Sequence, residues 1–297
     1  MNRRCGFVAL IGAPNAGKST LVNALVGQKV AITSPRPQTT RSRLLGIAIE
    51  GESQIILVDT PGIFEPRRRL DRSMVAAAWA GAGEVDLVCL VIDASRRASS
   101  DLERIIAGLK ESPRPTIVAL NKVDIAGKQA LLPFAADLSG RVEFEDLFMV
   151  SAATGDGVSD LKHALAARVS PGPWHFPEDE ISNASERLLA AEATREQLFL
   201  QLRNELPHQS AVITETFTDR RDGSAEIRQQ ILVARDSQKA IVLGKGGTRI
   251  RAIGEAARGE IAAQLGRKIH LFLHVRVEPG WEEDRDRYRE AGLDWVE

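Results

Sequence analysis

Residues 12 to 20 read GAPNAGKST and follow the apolar run FVALI. Two glycines five residues apart, with a lysine and a serine after the second, suit a turn that points successive backbone N–H groups at an anion. Gly12, Ala13, Pro14, Asn15, Ala16 and Gly17 would form that turn, with Thr20 just beyond it. Lys18 would reach the β- and γ-phosphates of a nucleotide, and the Ser19 hydroxyl would hold Mg²⁺. A helix opening near Lys18 would add its positive dipole end. The rival reading of this stretch is an export signal, because Arg3 and Arg4 precede CGFVALIGA. Cleavage there would destroy the phosphate pattern, and partners for that pattern recur down the chain.

NKVD at 121–124 decides the base. Asp124 can accept from both N1–H and the exocyclic amine of guanine. Adenine would leave that carboxylate unpaired, a mismatch that discriminates by about 10⁴-fold. Asn121 fits a brace and further base contact, and the Lys122 stem can lie along the purine face. SAA at 151–153 follows the next apolar run, so the N–H groups of Ser151, Ala152 and Ala153 could meet guanine O6. DTPG at 59–62 supplies Asp59 to hold Mg²⁺ through water, then Thr60 and Pro61, then a Gly62 N–H aimed at the γ-phosphate. PQTTR at 37–41 (Pro37, Gln38, Thr39, Thr40, Arg41) reads as a loop. Thr40, or else Thr39, could close the Mg²⁺ shell only while the γ-phosphate is present, which is a switch. Ile63 stands where many small GTPases place a water-orienting glutamine, so intrinsic hydrolysis should be slow.

These residues need strand ends to hold them. FVALIG, IILVDT, VDLVCLVIDA, PTIVALNK and LFMVSA are short apolar runs separated by helical spacing, among them STLVNALVG with Leu21 and Leu25 on one face. The alternation predicts an α/β fold with an open, mostly parallel sheet flanked by helices, and every motif above falls at the carboxyl end of a strand. At 297 residues, 43% hydrophobic and 27% charged, the chain suits two globular domains. Its net charge of −1 means that any basic binding surface is local. No apolar run approaches the roughly 20 residues of a membrane span. Cys5 and Cys89 sit in or beside apolar runs and read as small core residues in a reducing compartment.

SPGPWHFPEDEIS, with three prolines, reads as a linker over 171–184, dividing a first domain at 1–170 from a second at 185–297. The second begins with a helix from about 185 to 206, then two extended stretches, 210–220 and 225–235, turning at RDG. SQKAIVLG at 237–244 reads from its β-branched residues as a strand. After GKGG at 244–247 comes a helix marked by Ile250, Ile253, Ala257, Ile261 and Leu265, then the strand KIHLFLHVRV. GKGG has the form of a loop that clamps a single-stranded RNA backbone. Gly244, Gly246 and Gly247 would allow close approach, while Lys245, Arg249 and Arg251 would supply charge. Ile241, Val242 and Ile250 would line an apolar groove for bases. EPRRRLDR at 65–72 and WEEDRDRYRE at 281–290 read as solvated charge runs.

Together GAPNAGKS, QTTR, DTPG, NKVD and VLGKGGTRIRAIG resemble the bacterial Era family of GTPases across almost the whole chain. The resemblance implies a P-loop GTPase domain followed by a smaller α+β type II KH domain, in which SQKAIVLG is a short helix. It implies GTP as substrate and GDP as product, Mg²⁺ bound by Ser19, Thr40 and Asp59, and Lys18, Asn15, Thr40 and Gly62 serving catalysis. By the same resemblance Asn15 helps to hold a K⁺ ion beside the phosphates, an activator in place of an arginine finger. It implies a cytoplasmic monomer that binds the 3′ end of 16S rRNA, and not DNA, to assist assembly of the 30S subunit. Nucleotide state would act through the switch loops on the placement of the RNA-binding domain. Peripheral association with the inner face of the cell membrane is also implied, although the sequence offers no strongly basic amphipathic anchor. Two rivals stay open, a GTPase serving RNA modification and a non-enzymatic RNA-binding scaffold. The first lacks a catalytic cysteine in residues 181–297, and the second is opposed by intact Lys18, Ser19, Asp59 and Asp124.

Overall fold

A computed structural model describes residues 3–34, 44–66, 69–83, 85–96, 99–111, 114–202, 206–281 and 284. The chain divides into two compact units. The first comprises Met1–Ala31, Thr40–Asn183 and Val296–Glu297; the second comprises Ile32–Thr39 and Ala184–Trp295.

In the first unit the apolar runs become β1 (Arg4–Ile11), β3 (Ser53–Asp59), β4 (Leu87–Asp93), β5 (Thr116–Asn121) and β6 (Asp146–Met149). A further strand, β2 (Leu44–Glu50), was not expected from the sequence. It joins the edge antiparallel to β3, giving the order β2-β3-β1-β4-β5-β6 with all other pairs parallel. β2 packs against α1 (Lys18–Val26), and Gly46 is what lets it come close. A Cβ there would stand 2.8 Å from Val22 Cγ1.

α1 and α5 (Val158–Arg168) cover one part of the sheet. α2 (Arg69–Gly83), α3 (Ser100–Glu111) and α4 (Leu131–Ser139) bury Ala78, Ile105, Leu109 and Leu138 with Ile11, Leu90 and Leu120 in a single core. Cys5 and Cys89 are both buried. Strand order reverses beside β1, and a crevice at the carboxyl ends of such strands is where open α/β sheets take ligands.

The stretch read as an interdomain linker is largely laid down on this unit. Gln54 bonds both backbone directions of it, accepting from His175 N and Phe176 N at 2.9 and 3.1 Å and donating to Phe176 O at 2.9 Å. Trp174 Nε1 donates to Glu52 O at 3.1 Å, and the His175 ring meets Phe7 edge to face. Three prolines therefore signal an extended segment here, and a polar side chain on β3 gives it a fixed seat.

The second unit follows the order helix, strand, strand, helix, helix, strand. α6 (Glu186–Gln201) is capped by Ser185, whose hydroxyl accepts from Leu188 N. β7 (Ser210–Asp219) and β8 (Ala225–Val233) pair antiparallel, and β9 (Ile269–Val277) adds parallel to β8. α7 (Asp236–Leu243) and α8 (Thr248–Leu265) lie between β8 and β9 in sequence. Residues 237–243 are thus helical, as the family resemblance implies and their β-branched composition does not: Gln238 Oε1 accepts from Ala234 N and Arg235 N and fixes the start. Leu198, Leu202, Ile231, Val233, Ile253 and Val275 form the core beneath.

Candidate functional site

β1 ends at Ile11 and α1 begins at Lys18, so Gly12–Gly17 is the strand-to-helix turn that the sequence demanded. Gly17 caps α1 with φ 96, and a Cβ on it would stand 2.2 Å from Asn121 Nδ2, so both space and backbone require glycine. Lys18 is buried and lies back on the turn, with Nζ donating to Gly12 O at 3.0 Å and Ala13 O at 3.1 Å. Burial lowers its ammonium to about 8, and the charge of Asp59 offsets only part of that.

Ser19 Oγ donates to Asp59 Oδ2 at 2.8 Å. A hydroxyl and a carboxylate together, both hard oxygen donors beside a phosphate turn, fit Mg²⁺. Asp59 closes β3 opposite Leu10 on β1, which is how the sheet brings it there. Thr60 Oγ1 donates to Leu10 O at 2.7 Å, and Ile63 N donates to Gly12 O at 3.1 Å. Gly62 abuts the turn so closely that a Cβ would lie 2.8 Å from Pro14 Cγ. Ile63 is wholly buried, so it offers nothing to orient a water molecule. Pro37, Gln38, Thr39, Thr40 and Arg41 lie outside the described residues.

At the base end, Asn121 is 1% exposed and ties three segments together. Its Nδ2 donates to Ala16 O at 2.8 Å and its Oδ1 accepts from Ala152 N at 2.9 Å. The brace expected from sequence is therefore a direct bond to the phosphate turn. This changes the part given to SAA. Ala152 N–H serves Asn121 and Ser151 N–H donates to Asp156 O at 2.9 Å, so in this arrangement both are engaged within the chain. Ala153 is exposed and its N–H has no partner among the described residues. Asp124 stands exposed beyond the turn after β5, available to a base. Lys122 Nζ reaches back to Asn15 O at 2.6 Å and to Asp93 Oδ2 at 2.7 Å. Asp93 was missed from sequence, although a carboxylate ending an apolar strand and followed two residues later by serine was a visible signal.

In the second unit GKGG turns between α7 and α8 with Gly244, Gly246 and Gly247 at φ 70, 61 and 76. Lys245, Gly246 and Arg251 are exposed, as is Ile241. Arg249 Nη1 donates to Ile241 O at 2.7 Å, so this guanidinium closes the carboxyl end of α7 as well as adding charge. Val242, expected to line a groove, is wholly buried among Leu198, Ile253 and Val275, because its helix turns that face to the core. Ile250 is half-buried against the same core. A second residue missed from sequence is Glu196 on α6, 3% exposed, whose Oε1 accepts from Thr33 N at 3.2 Å.

Residues 7–122 match the model of a 50S ribosome-binding GTPase family, and residues 205–282 match a KH domain. The chain is 58% identical to GTPase Era of Erythrobacter litoralis, covering 99% of this chain and 98% of that protein. It is 55% identical to GTPase Era of a Bradyrhizobium species, with 98% and 95% covered. Among solved structures, Aquifex aeolicus Era bound to GDP and AlF4⁻ is 37% identical with a TM-score of 0.92, covering 97% of this chain and 99% of that one. Era in complex with MgGDPNP and nucleotides 1506–1542 of 16S ribosomal RNA is 36% identical, also with a TM-score of 0.92, covering 98% and 99%. A phosphate turn, an NKVD segment at the end of β5 and a glycine-rich loop in a KH fold, matched end to end at this identity, leave one conclusion: the chain belongs to the Era family of GTPases.

Proposed function

We propose that this GTPase is a switch acting on the small ribosomal subunit, which grips the 3′ end region of 16S rRNA with its KH fold while hydrolysing GTP in its first unit. The observation that carries the nucleotide half is Asn121, whose two hydrogen bonds join the phosphate turn to both guanine-facing segments. The RNA half is supported by the relative that holds 16S rRNA and aligns with 98% of this chain.

Hydrolysis adds water to the γ-phosphorus and breaks its bond to the β–γ bridge oxygen. The protein contributes position and charge. Lys18 would leave the carbonyls of Gly12 and Ala13 for the phosphate oxygens, and the N–H groups of residues 13 and 15–18 would line them, Pro14 having none to offer. The Gly62 N–H, already beside Pro14, would register the γ-phosphate. Ser19, Asp59 through water and Thr40 would hold Mg²⁺, which would supply positive charge against the phosphate oxygens. With Ile63 buried, no side chain at that place readies the water, so basal turnover is slow. The Asn15 side chain would help to bind K⁺ beside the phosphates, supplying further positive charge.

Turnover of GTP with a Lys18→Ala control tests the chemistry: the wild type turns over and the variant does not. Crosslinking of bound RNA with a GTP analogue present, followed by sequencing, tests the target. Recovery of the 16S 3′ terminus supports the assignment to small-subunit assembly, and recovery of transfer RNA alone overturns it.

A further inference from the structure

Among the described residues, two that are not glycine hold positive φ: Asn15 at 64 and Lys122 at 66. They are bonded to each other, Lys122 Nζ to Asn15 O at 2.6 Å. One belongs to the phosphate turn and the other to the guanine-reading segment. Left-handed backbone at such residues is strained and persists where surroundings hold it. A flexible four-carbon ammonium does not hold itself.

Asp93 supplies the fixed point. It is the last residue of β4, paired with Asn121 across the sheet, and Ala94 N donates to Asn121 O at 2.8 Å. Its Oδ2 lies 2.7 Å from Lys122 Nζ, with the carboxylate 11% exposed and the lysine 30%. Its other oxygen is pinned by Ser95, whose N–H and hydroxyl donate at 2.9 and 2.5 Å. Burial alone would raise this carboxyl, but hydrogen bonds from Lys122 and Ser95 outweigh it and hold the group below its ordinary value. It is therefore an anion wherever the protein works.

We infer that Asp93 is a positioning residue for guanine nucleotide, which, without touching the ligand, holds Lys122 so that one ammonium sets the Asn15 turn and one stem stays beside the base. This rests on reading residues 121–124 as the guanine segment. Ser95 completes the device by fixing the carboxylate.

The test is the dissociation rate of fluorescent mant-GDP from the full chain. Asp93→Asn is expected to speed dissociation roughly 10- to 100-fold, the range of a lost charge-assisted bond. Asp93→Glu, which keeps the charge, is expected to recover most of that. Hydrolysis at saturating GTP should fall by less than affinity does. The deciding measurement is the double variant: in a Lys122→Met background, Asp93→Asn should change dissociation less than about twofold. An undiminished effect there, or no effect of Asp93→Asn in the native background, overturns the inference. If Asp93→Asn does not fold, Lys122→Met alone must still speed dissociation, and its failure to do so is equally fatal. A wild type that binds no mant-GDP would instead sink the guanine reading itself.

Discussion

Lys18 is 6% exposed, and burial brings its ammonium down to about 8 from 10.5. The drop corresponds to about 3 kcal/mol of disfavoured charge. Its sign is that of a buried base. The cost is carried in full below pH 8 and is relieved as pH rises toward 10.5, so this residue makes the ligand-free protein less stable at neutral pH. Phosphate oxygens reverse the situation by giving the ammonium a partner. At pH 8, where about half of the ligand-free molecules have lost the proton, GDP binding should take up about half a proton more than at pH 6. Calorimetry in buffers of different ionisation enthalpy reads that uptake, and equal values at the two pH values would refute the assignment. A second residue-scale expectation concerns Asp124, which stands exposed and ready. Asp124→Asn exchanges an acceptor for a donor, so affinity for GTP should fall at least 100-fold. A nucleotide whose base offers a carbonyl there, such as xanthosine triphosphate, should gain. Competition binding with the two nucleotides measures the exchange.

Single side chains work here because strand ends place them. Asn121 closes β5 and Asp93 closes β4 in register with it, while Ala16 and Ala152 lie on neighbouring turns. Asn121→Ala would orphan a buried carbonyl and a buried N–H, each costing about 1–3 kcal/mol. The expected result is a melting temperature several degrees lower together with much weaker GDP binding. Asn121→Asp, which can still accept from Ala152 but cannot donate to Ala16, should fall between, as thermal melts with and without GDP would show. This level of structure was only partly legible in the sequence. The parallel strands were plain because burial on both faces writes continuous apolar runs, and the motifs fell at their ends. β2 was hidden because Gly46, which its approach to α1 requires, and the small Ala48 dilute the strand signal. Prolines over 171–184 report local stiffness and say nothing of Gln54, the distant side chain that seats them. Asn121 was read as a brace, but its bond to Ala152, which engages one of the N–H groups that SAA offers, depends on sheet register that no tetrapeptide carries.

For the molecule as a whole, the two activities should separate at one level and couple at another. Lys245 and Gly246 are exposed in the second unit, away from any residue of the nucleotide turn in sequence or core. Changing both to aspartate puts two negative charges against an RNA backbone, so RNA affinity should fall more than tenfold and its salt dependence should flatten. GTP turnover without RNA should hold steady, and filter binding beside a phosphate-release assay would show both. Coupling is a different matter. Ile32 and Thr33, which precede the segment proposed as the switch, belong to the second unit, where buried Glu196 accepts from Thr33 N at 3.2 Å and from its hydroxyl at 3.4 Å. The segment proposed as the switch thus follows a backbone bonded to α6. If a GTP analogue changes RNA affinity by some factor relative to GDP, linkage demands that RNA change the preference for the analogue over GDP by the same factor. Glu196→Gln replaces the carboxyl acceptor with an amide and should shrink that factor in both directions, toward one, while leaving nucleotide affinity without RNA within about twofold. Fluorescence titrations of RNA at fixed nucleotide, and of nucleotide at saturating RNA, measure the same quantity from its two ends. A factor that survives Glu196→Gln unchanged would show that nucleotide state reaches the RNA-binding fold by some route other than this bond.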